Sequence, residues 1–256
     1  MNSPWLIRVP KPGARTRLYA FPYAGGNAAA FLPWSAGLGP EIELSVISLP
    51  GRGQRPLEPP LREMRQAVMQ IAAAISADGA SDFAFFGHSM GAVLALEVAR
   101  VCTLMHLRLP RLMVASGCRW PGALDREALH DLPKPEFLER LRDLGGTPEE
   151  VLSHAELLEI VLPALRADFA MLHGYSYRPG LALKPTLHVF AGRQDERVEP
   201  ENLIGWQRET AQFGQVHWFE GGHFFLHQYE SDVLATLTGL LKAASQLPSI
   251  SDHPQT

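Results

Sequence analysis

The sequence contains only two cysteines in 256 residues, too few for the disulfide framework of a small secreted scaffold. Cys102 and Cys118 sit in apolar stretches without metal-ligand spacing, so two buried thiols in a reducing compartment are expected. Long apolar runs are missing as well. No stretch approaches the roughly 20 apolar residues of a membrane span. The opening MNSPWLIRVPKPGAR lacks the apolar core of a secretory signal. A cytoplasmic protein with no membrane partner is the expectation. There is no excess of basic charge: the net charge is −4, which leaves no electrostatic footprint for nucleic acid. Internal repeats, low-complexity tracts and apolar heptads are absent too, which favours a monomer.

What the chain does have is enough apolar residue, 46% of the total, to bury a sizeable core. It also has an alternation of strand and helix patterns. Residues 1–14, with Pro4, Pro10, Pro12 and Gly13, read as a loose leader. Strands are expected at 17–21, 42–49, 83–86, 112–116, 186–191 and 215–219. Helices are expected at 28–38, 61–77, 92–104, 200–211 and 225–243. The alternation breaks at about Asp125 and resumes after about His173. Between them only helical patterns are visible, punctuated by Pro133, Pro135, Gly145, Gly146, Pro148 and Pro163. The expected fold is α/β: a mostly parallel central sheet with helices on both faces. A helical lid is inserted at about 125–173, all in one domain spanning 1–256. The polar tail from Ser245 is expected to be mobile.

One stretch organises the rest. Phe85-Phe86-Gly87-His88-Ser89-Met90-Gly91-Ala92 places Gly-x-Ser-x-Gly between an apolar strand and an Ala/Leu-rich helix. A serine on so sharp a turn needs small neighbours, and Gly87 and Gly91 supply them. Its hydroxyl then stands at the carboxyl end of the sheet, above a helix N-terminus that favours developing negative charge. The alternative is a glycine turn that only packs a helix on a strand.

A serine hydroxyl attacks only when a base takes its proton, and in this arrangement the order along the chain is Ser, acid, His. The acid candidate is Asp195, in the loop Gly192-Arg193-Gln194-Asp195-Glu196 after a strand. That is the sheet edge where ligands gather. Glu196 is the neighbour to exclude, and Asp168 and Asp125 are weaker candidates. The base candidate is His223, in Glu220-Gly221-Gly222-His223-Phe224. His227, four residues on, could share a helix face with it, but no third metal ligand accompanies the pair, so His227 reads as a packing or surface residue. His88 reads as structural. The oxyanion donors expected are the backbone N–H of Met90 and that of Ala24, in the loop Tyr23-Ala24-Gly25-Gly26. Tyr23 is the neighbour to exclude there, and a plain glycine turn is the alternative for the loop.

Several separate motifs now stand in order. They are Phe21-Pro22-Tyr23-Ala24-Gly25-Gly26, Pro50-Gly51-Arg52-Gly53 with Arg55 and Glu58-Pro59, Gly87-His88-Ser89-Met90-Gly91, and Gly145-Gly146-Thr147-Pro148. The run Leu162-Pro163-Ala164-Leu165-Arg166-Ala167-Asp168-Phe169, with Tyr175 and Tyr177, and Gly221-Gly222-His223-Phe224-Phe225 complete them. Over about residues 17–240 the chain resembles the type II, or external, thioesterases of polyketide and nonribosomal peptide assembly lines. The resemblance implies an α/β-hydrolase fold with a helical lid and a triad of Ser89, Asp195 and His223. It implies removal of mis-primed or stalled acyl groups from the phosphopantetheine arm of carrier proteins, with carrier domains as partners and no cofactor or metal. A small-ester esterase of the same fold and a catalytically silent binding protein are the rivals.

Three features leave two readings each. Ser116-Gly117-Cys118-Arg119-Trp120-Pro121 carries a large Trp120 where the family pattern has a small residue. It is either a reshaped wall near the lid or a surface tryptophan. Arg166 and Asp168 either steer phosphopantetheine or tie the lid to the core. Arg52 and Arg55 either meet phosphate or an acidic carrier surface, or lie in a solvated loop.

Overall fold

The computed structural model describes residues 3–124 and 127–246. Asp125 and the end of the tail lie outside them. Seven strands form one sheet: β1 (Leu6–Val9), β2 (Thr16–Phe21), β3 (Ile42–Ile47), β4 (Phe83–His88), β5 (Leu112–Ser116), β6 (Leu183–Gly192) and β7 (Thr210–Phe219). Their order is β1-β3-β2-β4-β5-β6-β7. Among the described residues only β1 runs antiparallel to its neighbour; every other pairing is parallel.

The parallel strands are apolar on both sides because both sides are covered. Alternate residues point to opposite faces. Tyr19, Phe21 and Phe85 join the larger core with helices α2 (Met64–Asp78) and α3 (Met90–Leu104). Leu18, Ala20, Ala84 and Phe86 join the second core, with α1 (Trp34–Gly37) and α9 (Glu230–Ser245). Between β5 and β6 lie α4 (Lys134–Leu144), α5 (Glu149–Ser153) and α6 (Ala155–Gly174). They share a small core of their own around Phe137, Leu141, Leu152, Leu158, Leu162 and Leu165. After β6 come α7 (Pro200–Ile204) and, beyond β7, α8 (Phe225–Gln228).

The connections from β2 and β4 leave in opposite directions, toward β3 and β5 respectively. The two strands are adjacent, with Phe21 opposite Gly87. A crevice therefore opens at their carboxyl ends, where open α/β sheets bind ligands. The loop from Pro22 and the turn at Ser89 face each other across it.

Several sequence expectations need correction. The supposed leader contains β1: Trp5 and Leu6 are buried, and Arg8 pairs with Glu43 on β3 at 2.8 Å. The expected helix at 28–38 is a short 3-10 turn, Ala28–Ala30, followed by the single turn α1. Pro33 interrupts it, since it has no N–H to continue the ladder. The expected helix at 200–211 is α-helical only to Ile204 and continues as a 3-10 helix over Gly205–Glu209, and β7 starts at Thr210 rather than 215. Gly205 permits the change of course by letting the Trp120 ring lie directly on the backbone. The last helix breaks at Tyr229 into α8 and α9. Conversely, Pro163, which reads as a break, lies inside α6. Packing of Leu158, Leu162 and Leu165 outweighs the roughly 3 kcal/mol a mid-helix proline costs.

Candidate active site

The serine turn is built from backbone contacts. Ser89 has φ 54 and ψ −118, a left-handed conformation that costs a non-glycine residue about 1–3 kcal/mol. Its N–H is held by the Ser116 carbonyl at 2.8 Å. A Cβ on Gly91 would fall on the carbonyls of Phe21 and Pro22, and one on Gly87 would fall on the backbone of Gly91 and Ala92. Strand, turn and helix can approach this closely only because both positions are glycine.

Asp195 and His223 come together because the loops after β6 and β7 are stitched. A Cβ on Gly192 would lie 2.5 Å from the carbonyls of Gly221 and Gly222. Gln194 N–H donates to Gly221 O at 3.0 Å, and the Gln194 side chain takes the Gly221 N–H in return. The imidazole Nδ1 of His223 then lies 2.6 Å from Asp195 Oδ2. With Nδ1 as the donor, the neutral ring carries its lone pair on Nε2. The Asp195 side chain is 1% exposed and that of His223 8%. Burial alone would raise the Asp195 carboxyl. The His223 hydrogen bond and charge, then the Arg197 N–H and guanidinium, more than offset this and hold it below the usual carboxylate range. Glu196 does not take this position; it lines the cavity described next.

Ser89, Met90 and His223 line one cavity of about 340 Å³, walled by Val93, Leu124, Phe169 and Leu172. The apolar side suits an acyl chain, while Arg119, Glu127, Arg140, His173, Glu196 and Arg197 line the rest of the cavity. In the loop after β2, two amides are already engaged: Gly25 N–H donates to Asp168 Oδ2 at 2.7 Å and Gly26 N–H to Tyr23 O at 2.9 Å. Tyr23 itself is buried, its hydroxyl 3.0 Å from His227 Nε2, so His227 packs on this loop while staying exposed, in keeping with its reading as a packing or surface residue. Burial raises the Tyr23 phenol and lowers the His227 imidazole.

His88 is fully buried under the site. Its Nδ1 is 2.9 Å from Ser116 Oγ, and its ring centroid lies 5.1 Å from that of His223. Burial pushes its imidazole well below the ordinary range, and the charges of His223 and His227 push the same way. Cys118, close by, is pushed up to about 12 and Cys102 to about 11, both chiefly by burial, so neither thiol is poised to react.

The ambiguous residues fall as follows. Arg52 and Arg55 are both buried, in neither of the expected settings. Arg52 pairs with Asp168, while Arg55 binds Glu58 at 2.6 Å, the Ser48 carbonyl at 2.8 Å and the face of Trp5. The connection from β3 to α2 folds back on the core because its charges find partners there. Asp168 joins helix to core; Arg166 lies over the Phe137 ring. Trp120 is neither a cavity wall nor a free surface residue. Its indole N–H donates to the buried Glu209 at 2.6 Å, which also receives Tyr177 OH at 2.8 Å. The fold supplied the partner that the sequence hid: Glu209 lies 89 residues away.

Among the described residues no cluster of three or more His, Cys, Asp or Glu could hold a metal, and no helix is long and apolar enough to cross a membrane.

The model of the thioesterase domain family matches residues 16–242. Gramicidin S biosynthesis protein GrsT of Aneurinibacillus migulanus is 37% identical over 222 residues, 86% of this chain and 87% of the relative. A protein named linear gramicidin dehydrogenase LgrE, of Brevibacillus parabrevis, is 36% identical over 247 residues, 94% of each chain. The Gly-x-Gly-x-x-Gly dinucleotide fingerprint of many dehydrogenases does not occur in this sequence. The type II thioesterase BorB of the borrelidin biosynthetic cluster superposes with a TM-score of 0.85 at 31% identity, covering 94% of this chain and 99% of that one. Seven strands in this order, a strained serine at the switch point and these likenesses converge, and the chain belongs to the type II thioesterases of the thioesterase domain family.

Proposed function

We propose that the protein hydrolyses acyl thioesters carried on the phosphopantetheine arm of carrier proteins, clearing mis-primed or stalled chains, with Ser89, His223 and Asp195 as its triad. The observation that carries the reading is the 2.6 Å contact of His223 Nδ1 with Asp195 Oδ2, on a histidine that shares its cavity with the strained Ser89. The relatives named for gramicidin S biosynthesis and the borrelidin cluster support a carrier-bound substrate.

The reaction follows from the groups present. Ser89 Oγ attacks the thioester carbonyl while His223 Nε2 takes its proton. The oxyanion is met by the N–H of Met90 and that of Ala24. His223 returns the proton to the departing pantetheine thiolate, leaving the acyl group esterified to Ser89. Water, deprotonated by His223, repeats the sequence, and the free acid leaves. Asp195 keeps the imidazole in the right tautomer and stabilises its cation. Nucleophile, base and oxyanion donors all come from the chain, so the chemistry is complete without a metal or cofactor. Helices α4–α6 act as the lid: Leu129, Leu144 and Phe169 of this region line the cavity and screen the acyl-enzyme from bulk water.

The test is single-turnover hydrolysis of an acetyl-loaded carrier protein against p-nitrophenyl acetate, with Ser89→Ala as control. Faster cleavage of the carrier thioester and an inert variant are expected. Asp195→Asn is expected to lose about 10⁴ in turnover. Cleavage of the free ester alone would leave an esterase in place of the carrier-protein reading.

A further inference from the structure

The loop after β2 must present one amide to the oxyanion and keep the others out of the way. Gly26 N–H turns back on Tyr23 O. Gly25 N–H goes instead to a carboxylate on α6, Asp168, 143 residues away in sequence. The Asp168 side chain is 0% exposed. Arg52 meets it with both guanidinium prongs, Nη2 to Oδ1 at 2.7 Å and Nη1 to the same Oδ2 that accepts from Gly25. A buried ion pair is a poor way to stabilise a fold, because the desolvation of two charges offsets most of their attraction and apolar packing does as well or better. Its geometry is what it contributes: a bidentate guanidinium fixes the carboxylate plane, and the carboxylate fixes one peptide. Leu165, one turn earlier on the same helix face, closes the clamp. Gly25 has φ +75, and a Cβ there would overlap the Leu165 side chain.

We propose that Asp168 is a positioning residue for thioester hydrolysis. By taking the Gly25 N–H it sets the preceding peptide so that the Ala24 N–H faces the reacting carbonyl oxygen, and Arg52 holds the carboxylate in place. The same helix lines the acyl cavity through Phe169 and Leu172, so the wall that touches the acyl chain also holds the oxyanion loop. This inference rests on the Ser89 reading above.

Two paired variants isolate the Gly25 acceptor without leaving a lone buried charge. Arg52→Gln with Asp168→Asn keeps an acceptor oxygen; Arg52→Met with Asp168→Leu removes it. The second pair is expected to turn over a carrier thioester about 10² more slowly than the first, the effect of one lost oxyanion donor, with KM changed by no more than about twofold. Equal turnover in the two pairs would overturn the proposal. The parent protein supplies a second readout that needs no variant. In its amide NMR spectrum, Gly25 is expected to be exchange-protected without inhibitor. An alkyl boronic acid that forms a tetrahedral adduct on Ser89 should shift the Ala24 proton downfield. An adduct that shifts the Gly25 proton instead overturns the positioning role alone. A parent protein that a fluorophosphonate does not label at Ser89 overturns the Ser89 reading and this inference with it.

Discussion

The two loops that face each other at the switch point are held by different means. The turn after β4 is held by backbone against backbone: Gly87 on Gly91, and Gly91 on the carbonyls of Phe21 and Pro22. The loop after β2 is held by side chains from distant elements: Asp168 of α6 on the Gly25 N–H and His227 of α8 on the Tyr23 hydroxyl. The difference has a physical reason. The proposed nucleophile sits on a rigid scaffold, and a steric lock tolerates almost no motion. The loop after β2 is held instead through side-chain hydrogen bonds, which tolerate more adjustment than a backbone contact does.

The largest effect should come from breaking the steric lock. Gly91→Ala would force the elbow off Phe21 at a cost at or above the upper end of the ~1–3 kcal/mol typical of overpacking. Thermal unfolding should show the loss, and fluorophosphonate labelling of Ser89 should stop. A folded Gly91→Ala protein that labels at the parent rate would show that the turn is not locked.

Next comes His88, which lies beneath both loops, 5.9 Å from the Tyr23 ring and 5.1 Å from that of His223 between centroids. Its folded imidazole is held well below the ordinary range by burial, whereas in the unfolded chain it titrates near ~6.5. Below that pH the unfolded chain binds a proton that the folded one refuses. The contribution is therefore whole above about pH 6.5 and is lost as pH falls toward the folded value. Urea unfolding at the two pH values should show a steeper loss for the parent than for His88→Gln. Parallel curves would contradict this.

Smaller effects sharpen the contrast. Ser89→Gly should relieve the left-handed strain and raise stability by about 1 kcal/mol, after allowing for the extra freedom of glycine in the unfolded chain, while abolishing turnover. A drop in melting temperature would mean that the serine is not strained. Tyr23→Phe removes one hydrogen bond from the other loop. Turnover should fall several-fold, in line with about 1 kcal/mol, and Ser89 labelling should stay near the parent rate. A matching fall in labelling would mean that the two loops are not held independently.

The same contrast explains what could be read in the sequence. The elbow is local: Gly87 to Gly91 carries its own steric logic within five residues, and the alternation around it points to the sheet. Asp195 and His223 are legible through their places after strands β6 and β7. The supports of the other loop were not. Arg52 and Asp168 are 116 residues apart, and Tyr23 and His227 are 204 apart. No periodicity connects such pairs, so the sequence left Arg52 between a phosphate or carrier contact and a solvated loop, and His227 between packing and surface. β1 was missed for a similar reason. Leu6 to Val9 is short and flanked by prolines, and it becomes a strand only because β3 offers an edge and Glu43 a partner for Arg8.

The most direct measurement is to mix the protein with acyl-loaded carrier protein, quench within one turnover, and map the acyl group by peptide mass spectrometry. The acyl mass should appear on the peptide containing Ser89 and vanish in Ser89→Ala together with release of the free acid. Free acid released by Ser89→Ala at the parent rate, with no acyl mass on that peptide in the parent, would contradict covalent catalysis at the elbow.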